Sequence, residues 1–333
     1  MLNKFPILLP LSLAALALLA ALYSYVDGGS AAAGDTERVS VDSAGAEADA
    51  GSANPAISAD ARYVALSSDA TNLVPGDTNG KSDVFVRDRL TGATERVSVD
   101  SAGNQGNDRS YGPDISADGR YVVFYSFATN LVPGDTNGKY DVFVHDRQTG
   151  ATERVSVDSA GNQGDESGGS YNPAISADGR YVAFDSGASN LAPGDITVRF
   201  DVFVHDRQTG ATERVSVDSV GNPGDSDSTR PAISASGRYV AFASGATNLV
   251  PEDTNRSGDV FVRDRGAAAT ATPTATPSQS ATASPTPSGE SRLWGDIDCL
   301  NGITIGDAQK IARDLIDLAI TQAEGCPRVG EST

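Results

Sequence analysis

Residues 94–151 read TERVSVDSAGNQGNDRSYGPDISADGRYVVFYSFATNLVPGDTNGKYDVFVHDRQTGA, and near copies of this stretch lie on both sides of it. Its opening phrase, TERVSVDS, begins at Thr36, Thr94, Thr152 and Thr212, so that successive copies are 58, 58 and 60 residues apart. A period of this length indicates one supersecondary unit that buries its apolar faces only by stacking on its neighbours. The chain from residue 36 to residue 265 is therefore predicted to be an array of such units.

Each unit contains four short strand signals. In the second copy these are Pro113–Ser116, Tyr121–Phe124, Val142–Val144 and a final strand, TERVSV. The D-G turn between the first two apolar runs is a strong hairpin signal. The two middle strands are apolar on both faces, as expected between neighbouring sheets, whereas alternation in TERVSV predicts an outer strand with one wet face. Four-stranded units at this period are typical of propeller blades.

The two ends of the array complement each other. The chain opens with an unpaired fourth strand, Thr36–Val41, and the array ends at a third strand, Asp259–Arg265, with no fourth strand after it. Pairing the first with the last would complete a blade and remove two free sheet edges. The sequence thus predicts an all-β propeller of four four-stranded blades that closes through its N- and C-terminal strands, with dimeric closure as the alternative.

The repeat also resembles a known family. ISADGRYVAF followed by DVFV-x-DR is similar to the WD-type repeat of bacterial exported propellers of the TolB-like class, and it recurs over residues 36–265. The resemblance implies a propeller fold and a binding role. It implies no catalytic residues, because function belongs to sites and not to folds.

Composition limits the function classes. The chain has 333 residues, including 35 Gly and 16 Pro, and a formal net charge of −19. Such a charge argues against nucleic-acid binding, which needs a basic face. It is compatible with cation binding or with simple solubility.

The N-terminus predicts export. In residues 1–33, Lys4 precedes an apolar run from Phe5 to Tyr23, and small residues follow up to Ala33. This order is typical of a signal peptide. Membrane association is expected only if the segment stays uncleaved as an anchor.

The two long loops of each unit are expected to emerge on one face, and both are rich in Asp, Asn, Gly and Ser. Within them, GDTNG-x-x-D places oxygen ligands at alternate positions, as a hard cation such as calcium requires. The alternative is an Asx-type turn whose side chains bond backbone amides. The candidate calcium ligands are Asp77, Asn79, Asp83, Asp135, Asn137, Asp141, Asp253, Asn255 and Asp259.

Residues that break the repeat are better candidates for a specific site than those present in every blade. Tyr111, Tyr171 and Arg230 lie in the long loops and are predicted to contact a ligand on this face. The two histidines, His145 and His205, occupy a position held by arginine in the other copies and are predicted to be exposed. No catalytic motif occurs in the repeats, which are therefore predicted to be non-catalytic.

Residues 266–291 are rich in Ala, Thr, Pro and Ser. Such a segment cannot bury a core and is predicted to be an extended extracellular linker. It leads to a small module at residues 292–330.

That module combines a twelve-residue acidic loop with an amphipathic helix. Asp296, Asp298, Thr304 and Asp307 stand at loop positions 1, 3, 9 and 12, and Ile303 stands at position 8, as in EF-hand loops. Thr304 and Asp307 also form a capping box for the helix. The stretch resembles a single dockerin repeat, which implies calcium binding by these four residues and a cohesin-like protein partner. It departs from that pattern at Leu300, in position 5, and at Gly302, in position 7. The alternative is a purely structural loop.

The only two cysteines, Cys299 and Cys326, flank the helix. An exported module of about 40 residues is too small to be held by its core alone, so a disulfide between them is expected.

The sequence as a whole predicts an exported, non-catalytic binding or scaffold protein: a propeller on a flexible stalk with a calcium-binding docking module. One alternative is a component of a polysaccharide-degrading system whose propeller binds or hydrolyses carbohydrate. This would be favoured by carboxylates beside sugar-stacking aromatic side chains. A further alternative is a purely structural surface protein.

Overall fold

The structure is a computed structural model that describes residues 34–195, 199–255 and 257–266. These residues form fifteen antiparallel strands in four successive sheets, here called blades 1 to 4. Blade 1 contains β1 (Ser52–Ile57), β2 (Tyr63–Ser68), β3 (Asp83–Asp88) and β4 (Ala93–Arg96). Blade 2 contains β5 (Ser110–Ile115), β6 (Tyr121–Ser126), β7 (Asp141–Asp146) and β8 (Ala151–Arg154). Blade 3 contains β9 (Ser170–Ile175), β10 (Tyr181–Ser186), β11 (Asp201–Asp206) and β12 (Ala211–Arg214). Blade 4 contains β13 (Ser228–Ile233), β14 (Tyr239–Ser244) and β15 (Asp259–Asp264).

The predicted strand order is confirmed in every blade, and the strands pair in chain order. In blades 1 to 3 the middle strands are almost fully buried, as their apolar composition predicted, whereas β15 of blade 4 alternates between half-buried and exposed residues. The outer strand differs from the prediction. Only Ala151–Arg154 alternates between exposed and buried residues, and the following Val155, Ser156 and Val157 are all buried because they pack under the next blade.

Each blade packs face to face on the next. Val84 and Val86 of β3 and Val97, which follows β4, contact the opposing face of blade 2, where Phe124 and Phe143 lie. The same set of contacts recurs between blades 2 and 3 and between blades 3 and 4. The apolar side chains in these layers are removed from water only when a neighbouring blade covers them. The stability of the fold therefore depends on the stacking of blades and not on any single blade.

Glycine is required at the turn between the first two strands of blades 2, 3 and 4, where Gly119, Gly179 and Gly237 stand. Gly119 has a φ of +73°, and a Cβ placed on it would lie 2.1 Å from the ring of Tyr63 in the preceding blade. The guanidinium of Arg147 lies over the same ring, with its Cζ 4.2 Å from the ring centroid. The turn residues therefore lock one blade to the next at the end opposite the long loops.

The predicted closure is not present among the described residues. β15 pairs with β14 and with no other described strand, so blade 4 has three strands. Thr36–Val41 does not form a strand and lies against blade 1, where Thr94 Oγ1 donates a hydrogen bond to Val41 O at 2.6 Å. Thus the prediction of a ring closed by pairing Thr36–Val41 with Asp259–Arg265 is not met within this chain.

None of the described residues belongs to a helix that could cross a membrane. The predicted signal segment, the linker and the helical calcium-loop module with Asp296, Asp298, Thr304, Asp307, Cys299 and Cys326 lie outside the described residues, which end at Gly266.

Candidate functional site

The GDTNG loops form closely hydrogen-bonded turns. Asn79 Nδ2 donates to Asp83 Oδ2 at 3.0 Å and to Gly106 O at 2.9 Å, while Asn79 Oδ1 accepts from Lys81 N at 2.8 Å. Asn137 makes the same three contacts in blade 2. In blade 4, Asn255 donates to Asp259 at 3.1 Å. These side chains carry out the turn function that an Asx-type motif predicts.

An arginine lies against the two carboxylates of each loop in blades 1 to 3. Arg96 Nη1 is 3.3 Å from Asp77 Oδ1 and 3.0 Å from Asp83 Oδ2. Arg154 contacts Asp135 and Asp141, and Arg214 contacts Asp195 and Asp201, at 3.0 to 3.4 Å. Within residues 34–266 as described, no three His, Cys, Asp or Glu side chains are grouped so that they could hold a metal ion. This arrangement matches the turn interpretation, and calcium binding by these loops stays a prediction.

The feature that distinguishes the blades from one another is an aromatic cluster on blades 2 and 3. Tyr125 lies at its centre, with ring centroids 6.0 Å from Tyr111, 5.6 Å from Tyr140 and 5.6 Å from Tyr171. Phe127 contacts Tyr140 at 5.1 Å, and Phe200 contacts Tyr171 at 6.0 Å. The rings meet at inclined or edge-to-face angles, which are the favourable geometries for aromatic pairs. The aromatic cluster comprises Tyr111, Tyr125, Phe127, Tyr140, Tyr171 and Phe200.

The first strand of each blade, here called its innermost strand, places two members of this cluster, Tyr111 on β5 and Tyr171 on β9. Each innermost strand has a bulge at which a residue with positive φ precedes proline: Asn54, Gly112, Asn172 and Arg230 have φ values from 48° to 57°. In blade 2 the residue must be glycine, because a Cβ on Gly112 would lie 2.6 Å from the Tyr125 ring.

Two carboxylates lie on the same blades as the aromatic cluster, the buried Asp185 and the half-buried Asp114. Asp185 Oδ2 accepts hydrogen bonds from Arg230 N at 2.7 Å and from Asn172 Nδ2 at 2.9 Å. Asp114 Oδ2 accepts from Ile175 N of the next blade at 2.9 Å. Burial raises the pKa of both carboxyl groups, although these hydrogen bonds oppose the shift.

The hydroxyls of Tyr125, Tyr140 and Tyr171 keep their protons at neutral pH. Burial raises the pKa of Tyr125, Tyr140 and Tyr171, and the charge of Asp185 adds to this effect at Tyr125 and Tyr171. Each hydroxyl can therefore donate as well as accept a hydrogen bond. All six rings are partly exposed, so the aromatic cluster offers both apolar ring faces and polar groups to a ligand.

Comparison with solved structures finds propellers. The chain is similar to TolB from Acinetobacter baumannii, with 19% sequence identity, a TM-score of 0.39 and coverage of 65% of this chain and 41% of that one. It is similar to a putative TolB from Agrobacterium tumefaciens, with 19% identity, a TM-score of 0.40 and coverage of 63% and 60%. The β-propeller domain of the Trilobed protease from Pyrococcus furiosus gives 11% identity, a TM-score of 0.39 and coverage of 65% and 55%.

The chain thus spans less than two thirds of the length of each of these proteins. No protein-family model matches it. No curated protein matches it either.

The prediction that the three candidate ligand residues lie in the long loops was wrong: Tyr111, Tyr171 and Arg230 lie in β5, β9 and β13, because each long loop ends before the bulge of the strand that follows it. The structure nevertheless links them. Tyr111 and Tyr171 both contact Tyr125. Arg230 is linked to the same region by the hydrogen bond that its backbone amide donates to Asp185. Sequence reasoning missed the other members, although each breaks the repeat: Tyr125 replaces Ser67 of blade 1, and Tyr140 replaces Ser82. Comparing the copies position by position would have found them. The residues missed were Asp114, Tyr125, Phe127, Tyr140, Asp185 and Phe200.

The prediction for the histidines was wrong. His145 and His205 are buried, and Nδ1 of each lies 2.8 and 2.9 Å from the hydroxyl of Thr152 and Thr212, respectively. The position is covered because the threonine beside each ring is itself bonded to the preceding blade, as Thr152 is to Val99 and Ser101.

Proposed function

We propose that this chain is an exported, non-catalytic binding protein whose aromatic cluster on blades 2 and 3 binds carbohydrate. The single observation that carries this proposal is the concentration of repeat-breaking aromatic side chains at one place on the long-loop end. Four nearly identical blades need no such asymmetry for folding, since blades 1 and 4 carry small or polar residues at the same positions.

The chemistry of the cluster favours a sugar. A pyranose presents one face of C–H groups, which packs on an aromatic ring, and a rim of hydroxyls, which need hydrogen-bond partners. Tyrosine supplies an apolar ring and a polar tip together. Binding sites typically combine aromatic lining with a few placed polar groups, here the tyrosine hydroxyls and the Asn172 amide. Asp114 and Asp185 are engaged by backbone donors, so we assign them to positioning the cluster and not to catalysis.

The experiment that tests this proposal is affinity electrophoresis of the full-length protein in gels containing xylan, pectin, mannan or soluble chitosan. We expect retardation by at least one of these polysaccharides. The variants Tyr140→Ser and Tyr171→Thr, which restore residues found in blades 1 and 4, should weaken binding at least tenfold. The matched control is Leu90→Ala, which removes an exposed apolar side chain from the opposite end of blade 1. Equal retardation of the protein and both tyrosine variants in all four gels would refute the proposal.

We infer from the sequence that the C-terminal module binds calcium and docks the protein to a partner. The support is the acidic loop of Asp296, Asp298, Thr304 and Asp307 and its resemblance to a dockerin repeat. Calcium calorimetry on the full-length protein, compared with Asp296→Ala and with Asp77→Ala, separates the two candidate loop types. Loss of the binding heat only in Asp296→Ala assigns the ion to the module. Unchanged heat in Asp296→Ala would rule the module out.

A further inference from the structure

Among the described residues, blade 4 lacks the kind of strand that the N-terminal segment, residues 36–41, has the sequence to supply. Blade 4 lacks a fourth strand within the described residues. Residues 36–41 carry the sequence of a fourth strand, TERVSV, and no strand of the described chain pairs with them.

Residues 36–47 lie on blade 1 as the outer strand of a preceding blade would. Glu37 pairs with Arg89 at 2.8 Å, as Glu95 of blade 1 pairs with Arg147 of blade 2 at 2.6 Å. Val41 O accepts a hydrogen bond from the Thr94 hydroxyl, as Val99 O accepts one from Thr152. Val39 packs on the core of blade 1. The segment is therefore already in the position from which it would complete a blade beside blade 1.

The charges of the two parts match. In blades 1 to 3 an arginine of the fourth strand contacts two loop carboxylates, as Arg96 contacts Asp77 and Asp83. The repeat assigns Arg38 to this role for Asp253 and Asp259 of blade 4. In the described chain no arginine pairs with either aspartate, and Arg38 is exposed and pairs with Glu47.

The end faces of the stack are apolar and exposed. Val260 and Val262 of β15 are 76% and 67% exposed, whereas Val142 and Val144 at the same positions of β7 are at most 1% exposed. At the other end, Ile57 of β1 is 56% exposed, while Ile115 of β5 is 6% exposed. Exposure at both ends means that the two faces of one chain do not pack on each other.

We propose that two copies of this chain join head to tail at both ends, residues 36–41 of each copy adding a fourth strand to blade 4 of the other. Cyclic closure removes every free edge. Two copies provide eight blades, the upper end of the usual range for propellers, and three copies would exceed it. The pairing registers of β4 and β8 place Arg38 of one copy opposite Phe261 of the other, and Thr36 opposite Arg263.

One residue distinguishes this junction from those inside the chain. Blade 1 has Ala61, with a φ of +58°, where Gly119 stands in blade 2. Since a Cβ at that position would meet the tyrosine ring of the preceding blade, Tyr239 of the other copy adopts a different side-chain conformation at the junction. The variant Ala61→Gly is therefore expected to tighten the association of two copies.

Disulfide trapping between two different full-length chains tests the proposal. One chain carries Thr36→Cys and the other carries Arg263→Cys together with a size tag, and the two are co-expressed. At the corresponding pair in blade 1, Arg87 Nη1 lies 3.1 Å from Thr94 Oγ1, so these side chains face each other across the two strands. Directly opposite residues in such a ladder are close enough for a disulfide.

We expect a covalent heterodimer on non-reducing gels that disappears on reduction. Each single variant expressed alone is the control for cross-linking through Cys299 and Cys326. Closure within one chain cannot link two chains of different size, so absence of the heterodimer overturns the proposal. A wild-type protein with the mass of one chain, or of a series of larger assemblies, by light scattering would overturn it as well. Ala61→Gly should lower the dimer dissociation constant severalfold.

Discussion

The buried side chains of His145 and His205 make the stability of this fold depend on pH. Each ring lies beside a threonine hydroxyl that itself bonds a carbonyl of the preceding blade, as Thr152 Oγ1 does with Val99 O at 2.6 Å. Burial lowers the pKa of both imidazoles, with nearby carboxylates opposing the effect. The neutral ring is therefore the form that the folded state prefers.

The first prediction concerns the stability lost on acidification. Because the pKa of each histidine is lower in the folded than in the unfolded state, the unfolded chain takes up protons first as pH falls through its ordinary value of 6.5. The free energy of unfolding should thus decrease from pH 7.5 to pH 6. His145→Arg/His205→Arg, which restores the residue of Arg87 and Arg263, should reduce that decrease by more than half in urea titrations. An unchanged decrease would show that other groups cause it.

A second residue-scale prediction concerns Asp135, whose pKa is raised to about 6 by burial and by the charge of Asp141, against the effect of Arg154. The folded state holds this proton more tightly than the unfolded state. Stability should therefore fall as pH rises from about 4 to about 6, by at most about 3 kcal/mol. Asp135→Asn should remove this fall, so that the variant gains on the wild type between pH 4.5 and 7 in urea titrations. The exposed Asp69→Asn is the control, and an equal pH profile for Asp135→Asn and the wild type would contradict the prediction.

At the scale of the element, the bulged innermost strands carry the differences between blades. Their register shift and positive φ recur at Asn54, Gly112, Asn172 and Arg230. A residue other than glycine or asparagine in this left-handed conformation costs about 1–2 kcal/mol of folding free energy. Arg230 is held there by the bond from its amide to Asp185. The carboxylate of blade 3 therefore fixes the backbone of blade 4 as well as the Asn172 side chain of its own blade.

This arrangement gives a prediction with an internal control. Asp185→Ala leaves the Arg230 amide and the Asn172 side chain without their acceptor and should cost about 2 kcal/mol of unfolding free energy. Both hydrogen bonds end on the same oxygen, Oδ2, so an asparagine can accept both. Asp185→Asn should be at least as stable as the wild type at pH 7, because it also removes a buried charge. Equal losses for the two variants in denaturant titrations would contradict the role assigned to the shared oxygen.

The strands could be predicted from the sequence, but the contacts between blades could not. The period and the D-G turns predict the strand ends to within about three residues, since alternation and turn chemistry are local properties. The aromatic cluster could not be predicted as a unit, because Tyr125 and Tyr171 are brought together only by the bulges and by the packing of blade 2 on blade 3. The burial of His145 depends in the same way on a neighbouring blade.

On the scale of the whole molecule, the repeat explains both the fold and its incompleteness. The sequence predicts that blade 4 needs the strand at residues 36–41, and it leaves open which chain supplies that strand. The structure shows that four blades leave both end faces in solvent within one chain. Intact stacking contacts inside the chain, such as Tyr63 against Gly119, are the template for the contact between chains.

The exposed apolar face of β15 allows the junction between two copies to be tested. Val260→Lys/Val262→Lys places two charges where a second copy would pack, but in the single chain these side chains already face water. A surface substitution of this kind costs an isolated fold little, whereas burying unpaired charge in an interface costs several kcal/mol. Light scattering of the full-length variant should therefore give the mass of one chain, with circular dichroism unchanged from the wild type. Val220→Lys is the matched control, since Val220 is 84% exposed and its counterparts Ala102 and Ala160 stay exposed although a blade follows them. A Val260→Lys/Val262→Lys protein that keeps the mass of two chains would show that this face is not the junction.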